Sequence, residues 1–397
     1  YTLAQTNSSF AYDIYGNLTS SSVVQTNPAE GSFKQTTTTS NTYTGPQSYY
    51  QRYGRLTNSS VTKTLVDSKG TQSSTRKSRF SYNNDLMLET ETLAPDEPKY
   101  RVVTTHSYDA AGNNSGKTVT AATKADGTGV QSRSSSTLYD SRFRFVKQTT
   151  DALGYKTDYT YDSKSADSIT GRIDYITQTD ANNQVSRAYF DIMGRQSRSY
   201  SKGAGSSDPV LNSYTSQDYC SNVSCAVAGA FARVISRADG QGEKEQFLDK
   251  FGREIASRVT LSDGSYSYTA TTYDTQGRPK RSYEPYLATP GAYGEASYDD
   301  LGRISSTLLA NGGTTRVSYQ GLTSVTTDAL NHSRTTLNNY AGQTRRVTDH
   351  EGNKLEYFYD ANGNLKTVEA TDKAGLLSVR TVNTYDAYGR KTAMDDQ

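Results

Sequence analysis

The sequence predicts an all-β chain built from tandem antiparallel β-hairpins that form one long coiled sheet. Three observations carry that expectation: a turn-forming hexapeptide recurs along the chain, a second set of turns lies between its copies, and tyrosine and threonine stand where aliphatic residues would fill a core. The fullest copies of the hexapeptide are Tyr12-Asp13-Ile14-Tyr15-Gly16-Asn17, Tyr108-Asp109-Ala110-Ala111-Gly112-Asn113, Tyr273-Asp274-Thr275-Gln276-Gly277-Arg278, Tyr298-Asp299-Asp300-Leu301-Gly302-Arg303, Tyr359-Asp360-Ala361-Asn362-Gly363-Asn364 and Tyr385-Asp386-Ala387-Tyr388-Gly389-Arg390. Two near copies begin with another apolar residue, Phe190-Asp191 with Gly194 and Leu248-Asp249 with Gly252. Weaker ones lie at 50–55, 82–85, 139–144 and Tyr161-Asp162.

The hexapeptide is turn chemistry. An Asp at the first turn position accepts backbone N–H groups, and a Gly three residues on takes the left-handed conformation closed to bulky side chains. The expected result is a hairpin with a type I turn and a glycine bulge, its Tyr or Phe pointing to the buried face. The second set keeps the chemistry without the Tyr, at Asp151-Ala152-Leu153-Gly154, Asp180 to Asn183, Asp239-Gly240-Gln241-Gly242, Asp263-Gly264, Asp328 to Asn331 and Asp349 to Gly352. These stand 10 or 11 residues before the next hexapeptide Asp in several places. Allowing for the turns, strands of about 7 residues follow, on the order of 23 Å long. Between hexapeptide positions 248, 273, 298, 319, 340, 359 and 385 the intervals are 25, 25, 21, 21, 19 and 26 residues. The chain thus runs up and down, as one continuous array over 1–397 that is more regular over 248–397 and more irregular over 1–247. Stretches such as Thr36 to Thr44 and Ser201 to Ser207 read as longer hairpins or surface loops.

Only 33% of the 397 residues are hydrophobic, with 32 Tyr, 10 Phe and no Trp, so little of the chain is a dry aliphatic core. Tyr suits thin sheets with a wet side, because its ring packs while its hydroxyl needs a partner. The 43 basic and 41 acidic residues carry no long single-sign block, which argues against nucleic acid as a partner. No apolar run nears the ~20 residues of a membrane helix. The start, Tyr1-Thr2-Leu3-Ala4-Gln5, has neither a signal peptide's blocks nor an initiating Met, and a fragment is expected. Cys220 and Cys225 leave a local disulfide and two free thiols both open.

The repeated Y-D-x-x-G-R/N motif resembles the YD-repeat, or RHS-repeat, family: bacterial RHS proteins, B and C components of toxin complexes, polymorphic toxins and, distantly, teneurins. The resemblance covers most of the chain. It implies a β-ribbon that spirals into a hollow shell, which in bacterial members holds a C-terminal toxin. The implied partners are an enclosed toxin or other cargo polypeptide and the remaining shell segments, and the implied location is secreted or at the bacterial cell surface. The Asp-Pro-x-Gly segment that accompanies self-cleavage in relatives has no counterpart here, so a partial, non-catalytic wall is expected.

No catalytic residue, metal site or cofactor is expected. The Asp residues are accounted for by their turns, and His106, His332 and His350 accompany no nucleophile motif. Arg after Gly, at 195, 253, 278, 303 and 390, reads as a repeated packing or cross-strand role. The rival function is an extracellular adhesion module that binds cell-surface carbohydrate on exposed Tyr faces.

Overall fold

The computed structural model describes residues 5–27, 33–45, 54–123, 129–162, 173–191, 193–202, 210–238, 240–386 and 389–397. The expectations at Tyr50, at 203–207 and at Asp239 lie outside them, as do Tyr1 to Ala4 and the turn residues Ile192, Ala387 and Tyr388.

Among the described residues thirty antiparallel strands follow one another in one long sheet. The first nine are β1 (Gln5–Tyr12), β2 (Leu18–Asn27), β3 (Phe33–Tyr43), β4 (Leu56–Asp67), β5 (Gly70–Tyr82), β6 (Leu88–Leu93), β7 (Val102–Tyr108), β8 (Asn114–Ala122) and β9 (Val130–Tyr139). Next come β10 (Val146–Thr150), β11 (Lys156–Tyr161), β12 (Tyr175–Thr179), β13 (Val185–Phe190), β14 (Gln196–Lys202), β15 (Val210–Tyr219) and β16 (Ala232–Ala238). Then follow β17 (Lys244–Leu248), β18 (Glu254–Thr260), β19 (Tyr266–Tyr273), β20 (Pro279–Tyr286), β21 (Tyr293–Tyr298), β22 (Ile304–Leu308) and β23 (Thr314–Gln320). The last are β24 (Thr323–Thr327), β25 (Ser333–Asn338), β26 (Thr344–Thr348), β27 (Lys354–Tyr359), β28 (Leu365–Thr371), β29 (Leu377–Tyr385) and β30 (Lys391–Asp396). The chain gathers into two compact units, one of residues 1–136, 318–327 and 331–397, the other of 137–317 and 328–330.

In the first unit β2 to β5 run 10 to 13 residues, longer than the strands the turn spacing suggests. Thr36 to Tyr43 therefore belong to a longer hairpin strand, the first of the two readings expected for them, and not to a surface loop. The reason lies in cross-strand hydroxyl pairs: Thr62 with Thr75 at 2.9 Å and Thr64 with Ser73 at 3.2 Å sit directly opposite each other in register. Such pairs let a Ser/Thr-rich strand hold its neighbour without apolar surface.

This unit also joins segments about 300 residues apart. Phe33 packs its ring on Tyr340 at 5.2 Å, Gln35 Nε2 donates to the Ala361 carbonyl at 3.2 Å, and Asn362 Nδ2 donates to Ser74 Oγ at 2.9 Å. Lys69 pairs with Glu369 at 3.2 Å and lies over the Phe358 ring at 4.4 Å. Leu65, Val347, Phe358 and Ala361 are buried here.

The second unit centres on Phe247, fully buried, with the buried Ala256 directly opposite it, the buried Ala232 opposite the adjacent Leu248, and the buried carboxylate of Glu245. Glu245 accepts Arg258 at 2.5 Å from the directly opposed position, and Asp218 opposes Arg233 in the same way at 3.1 Å. A buried carboxylate needs such a partner, since an unpaired buried charge is costly.

Candidate functional site

The recurrent turn is the candidate site, and its parts are clearest at Asp274. The Asp274 amide donates to the Arg278 carbonyl at 2.9 Å, and the Asp274 carbonyl accepts the Gly277 amide at 3.0 Å. Oδ1 of Asp274 accepts the amides of Gln276 and Arg278, both at 2.9 Å, while Oδ2 accepts Arg278 Nε at 2.7 Å. One carboxylate therefore satisfies two backbone donors and anchors the side chain after the glycine. The arrangement recurs at Asp191, Asp249 and Asp299 with Arg195, Arg253 and Arg303. At Asp13, Asp109 and Asp360 an Asn takes the place of Arg. At Asp386, Arg390 fills both roles. The glycines Gly16, Gly112, Gly194, Gly252, Gly277, Gly302, Gly363 and Gly389 hold φ between +76° and +86°, the region L side chains resist.

These bonds favour the ionised carboxylate. At Asp13 the Asn17 side-chain amide, and at Asp191 the Arg195 backbone amide, hold the group below its ordinary range. At Asp274, Asp249 and Asp299 the loss of surrounding water pushes upward, and the hydrogen bonds from the Arg four residues on outweigh it.

The aromatic residue before the turn, expected to point to the buried face, is half-buried in most copies and 60% exposed at Tyr12. Its hydroxyl explains its place. Tyr43 donates to Leu18, Tyr82 to Leu56, Tyr108 to Leu88, Tyr161 to Val146, Tyr273 to Glu254, Tyr298 to Pro279, Tyr359 to Thr344 and Tyr385 to Leu365, always to a backbone carbonyl, at 2.6 to 2.9 Å. Each acceptor opens the strand that leaves the preceding turn of the same edge. The turn Arg reinforces this clamp: Arg253 lies over the Tyr273 ring at 4.4 Å and Arg278 over the Tyr298 ring at 4.3 Å. Each of these repeats is thus pinned to the one before it.

Some turns differ from their sequence reading. Tyr340 lies inside a turn, not before it: Asn339 occupies the Asp position, its Oδ1 accepting the amides of Ala341 and Gln343. Asn can do so because it presents the same acceptor oxygen. The turn near Asp263 begins at Leu261, whose carbonyl accepts the Gly264 amide, and Asp263 caps Ser265 instead. In the weak copies Leu86 and Phe143 take the glycine place with φ of 65° and 58°.

Cys220 and Cys225 are joined as a disulfide with their Cα atoms 5.4 Å apart. His332 and His350, on neighbouring turns of one edge, stack at 4.3 Å, and His106 meets Asn114 at 3.0 Å. Among the described residues no three His, Cys, Asp or Glu side chains gather as a metal site. No described helix is long and apolar enough to cross a membrane. A cavity of 430 Å³ in the first unit is lined by Phe33, Lys63, Leu65, Tyr340, Arg345 and Phe358 among others. Nothing in the periodicity announces it, because it joins residues remote in sequence.

An array of antiparallel hairpins, each clamped to its predecessor through a turn tyrosine, is a repeat protein. Residues 339–377 match the RHS Repeat family, and the chain carries that repeat. No curated protein sequence matches it. Among solved structures, the crystal structure of TcdB2-TccC3 aligns with 96% of this chain and 28% of its own, at TM-score 0.65 and 13% identity. TcdB2-TccC3 without its hypervariable C-terminal region aligns over 99% and 30%, at TM-score 0.64 and 12% identity. The Photorhabdus luminescens Tc holotoxin pore aligns over 98% and 32%, at TM-score 0.51 and 12% identity. The chain spans about three tenths of the length of these chains. At such identities the likeness is one of fold.

Proposed function

We propose that the chain is a non-catalytic wall segment of a bacterial, exported, toxin-complex-like RHS protein that encloses and protects a C-terminal toxin or other cargo polypeptide. The observation that carries this reading is how the sheet is held. Its repeats are joined by hydroxyl, carboxylate and guanidinium contacts rather than by an aliphatic core, and the buried apolar residues among those described are few. A wall built this way presents polar faces, on which an unfolded chain finds little apolar surface to collapse. The fold likeness over nearly the whole chain supports the same reading. Binding of sugars on aromatic faces is the weaker account, because many rings are already covered: Tyr175 by Tyr189, Tyr268 by Tyr286, and Tyr283 by Tyr293.

The test is cryo-EM of the full-length protein together with limited proteolysis. A hollow β-wall with a protease-resistant internal polypeptide is the expected result. A filled particle whose whole chain is cut freely would sink the proposal.

A further inference from the structure

The cavity of the first unit is built where two remote segments meet. Its floor is one face of β2, β3 and β4: Gln25 stands opposite Gln35, Gln35 opposite Leu65, and Thr37 opposite Lys63. Opposed side chains share a face, and alternation along β4 sets Lys63, Leu65 and Asp67 on it together. The turn that holds Tyr340, with Arg345 and Phe358, supplies the facing wall. Its 430 Å³ lies within the range of small-molecule sites, about 300–1,000 Å³.

The cavity carries two cations, Lys63 and Arg345, that meet no carboxylate among the described residues. Both are half-buried. Arg345 is held in place, lying over the Phe358 ring at 4.0 Å and donating through Nη1 to the Tyr357 carbonyl at 2.9 Å. A cation that loses water without gaining a counter-charge is costly, so an anion in the cavity is favoured. The acids of the lining do not supply it. Asp360 spends both oxygens inside its turn, on the Asn362 and Asn364 amides and the Asn364 side chain. Asp67 accepts the Lys69 amide at 2.8 Å through Oδ1, and its Oδ2 meets no donor among the described residues. The side chains of Gln25 and Thr37 and the hydroxyl of Tyr340 likewise meet no partner among the described residues. Burial pushes that phenol up to about 12, so it remains a donor.

We propose that this cavity binds an acidic sugar, a hexuronate residue, with its carboxylate on Lys63 and Arg345 and its hydroxyls on Gln25, Thr37, Tyr340 and Asp67. The free groups call for one negative charge and several hydroxyls together. An acidic side chain would meet the cations, guanidinium and carboxylate pairing well, but it brings no hydroxyl to Asp67 or Gln25. A neutral sugar would leave both cations bare. Phe33 and Tyr340, packed at 5.2 Å, give the C–H face of a pyranose an apolar wall. Recognition here rests on the cations and free polar groups, not on an open aromatic face. The site needs only the first unit, so it can fail while the wall reading stands, and the wall reading can fail without it.

The experiment is calorimetric titration of this chain with sodium D-glucuronate, with D-glucose, and with the α-amide of N-acetylglutamate as the acidic-peptide probe. Saturable binding of glucuronate that weakens as salt rises is expected. Glucose and the peptide probe should each bind about tenfold more weakly, the effect of losing one charged contact or a pair of ordinary hydrogen bonds. Lys63→Gln should weaken glucuronate binding about tenfold and Tyr340→Phe about fivefold, each with an unchanged far-UV spectrum. No saturable binding of glucuronate, glucose or the peptide probe binding as tightly as glucuronate, or glucuronate binding untouched by either substitution would each overturn the proposal.

Discussion

The hydroxyl of Tyr273 donates to the backbone carbonyl of Glu254 at 2.7 Å, joining two repeats whose turns lie 25 residues apart in sequence. Arg253, held by Asp249, lies over the same ring. Asp249, Arg253, Tyr273 and Glu254 thus form a relay in which one turn fixes the aromatic residue of the next. Removing the hydroxyl alone separates its bond from the ring packing. Tyr273→Phe should therefore cost about 1 kcal/mol in urea unfolding.

The left-handed turn position allows a test with opposite signs at two sites. Gly277 holds φ of +82°, and a Cβ there would also stand 2.9 Å from Arg253 Nη1. Gly277→Ala should cost about 1 to 2 kcal/mol from the backbone alone, and displacing Arg253 should add to it. Phe143 occupies the equivalent place at φ 58° with its side chain 41% exposed. Phe143→Gly should relieve about 1 kcal/mol of that strain, offset in part by the freer unfolded chain. Thermal unfolding of the two variants should move in opposite directions.

The legible part of this fold is its local chemistry. Asp with a Gly three residues later specifies a turn from backbone sterics, so the edges of the sheet can be read from spacing. Asn83 and Asn339 are harder to see as turn starters, because an Asn replaces the Asp while Leu86 replaces one glycine. The tyrosine's role is hidden for a different reason: its partner is a backbone carbonyl, which no residue type announces. The packing of Phe33 on Tyr340 and of Gln35 on Ala361 depends on how a long twisted sheet returns on itself within the first unit. A pattern of turns fixes the order of strands but not that return.

Acid should loosen the array at its edges. Asp13, Asp109, Asp191, Asp249, Asp274, Asp299 and Asp349 all titrate below their ordinary value in the folded chain. A lowered folded pKa means that the unfolded chain binds protons first as pH falls. The stabilisation is present above the unfolded value, near 3.9, and is lost as pH drops through the lower folded values. Unfolding midpoints should hold steady down to about pH 5 and then fall steeply below pH 4. Asp274→Asn, which cannot ionise, should flatten part of that slope when midpoints are measured across the range.

Alkali probes the opposite sign at two tyrosines. Burial pushes the Tyr340 hydroxyl up to about 12, in the turn that packs on Phe33. Tyr214 also rises to about 12, through burial first and then its bond to Glu243 at 2.7 Å. For a raised folded pKa the unfolded chain loses its proton first, at about 10. The stabilisation from the neutral phenols is therefore complete below pH 10, declines above it, and is gone once pH passes the folded value near 12. Ultraviolet titration of phenolate should reveal both groups as late-ionising, and stability should fall between pH 10 and 12. Tyr340→Phe removes one ionisable group without removing its ring from Phe33. It should keep stability at neutral pH and blunt the alkaline loss, whereas a loss equal to that of the unaltered chain would mean that Tyr340 ionises without resistance and that its turn is not packed as described.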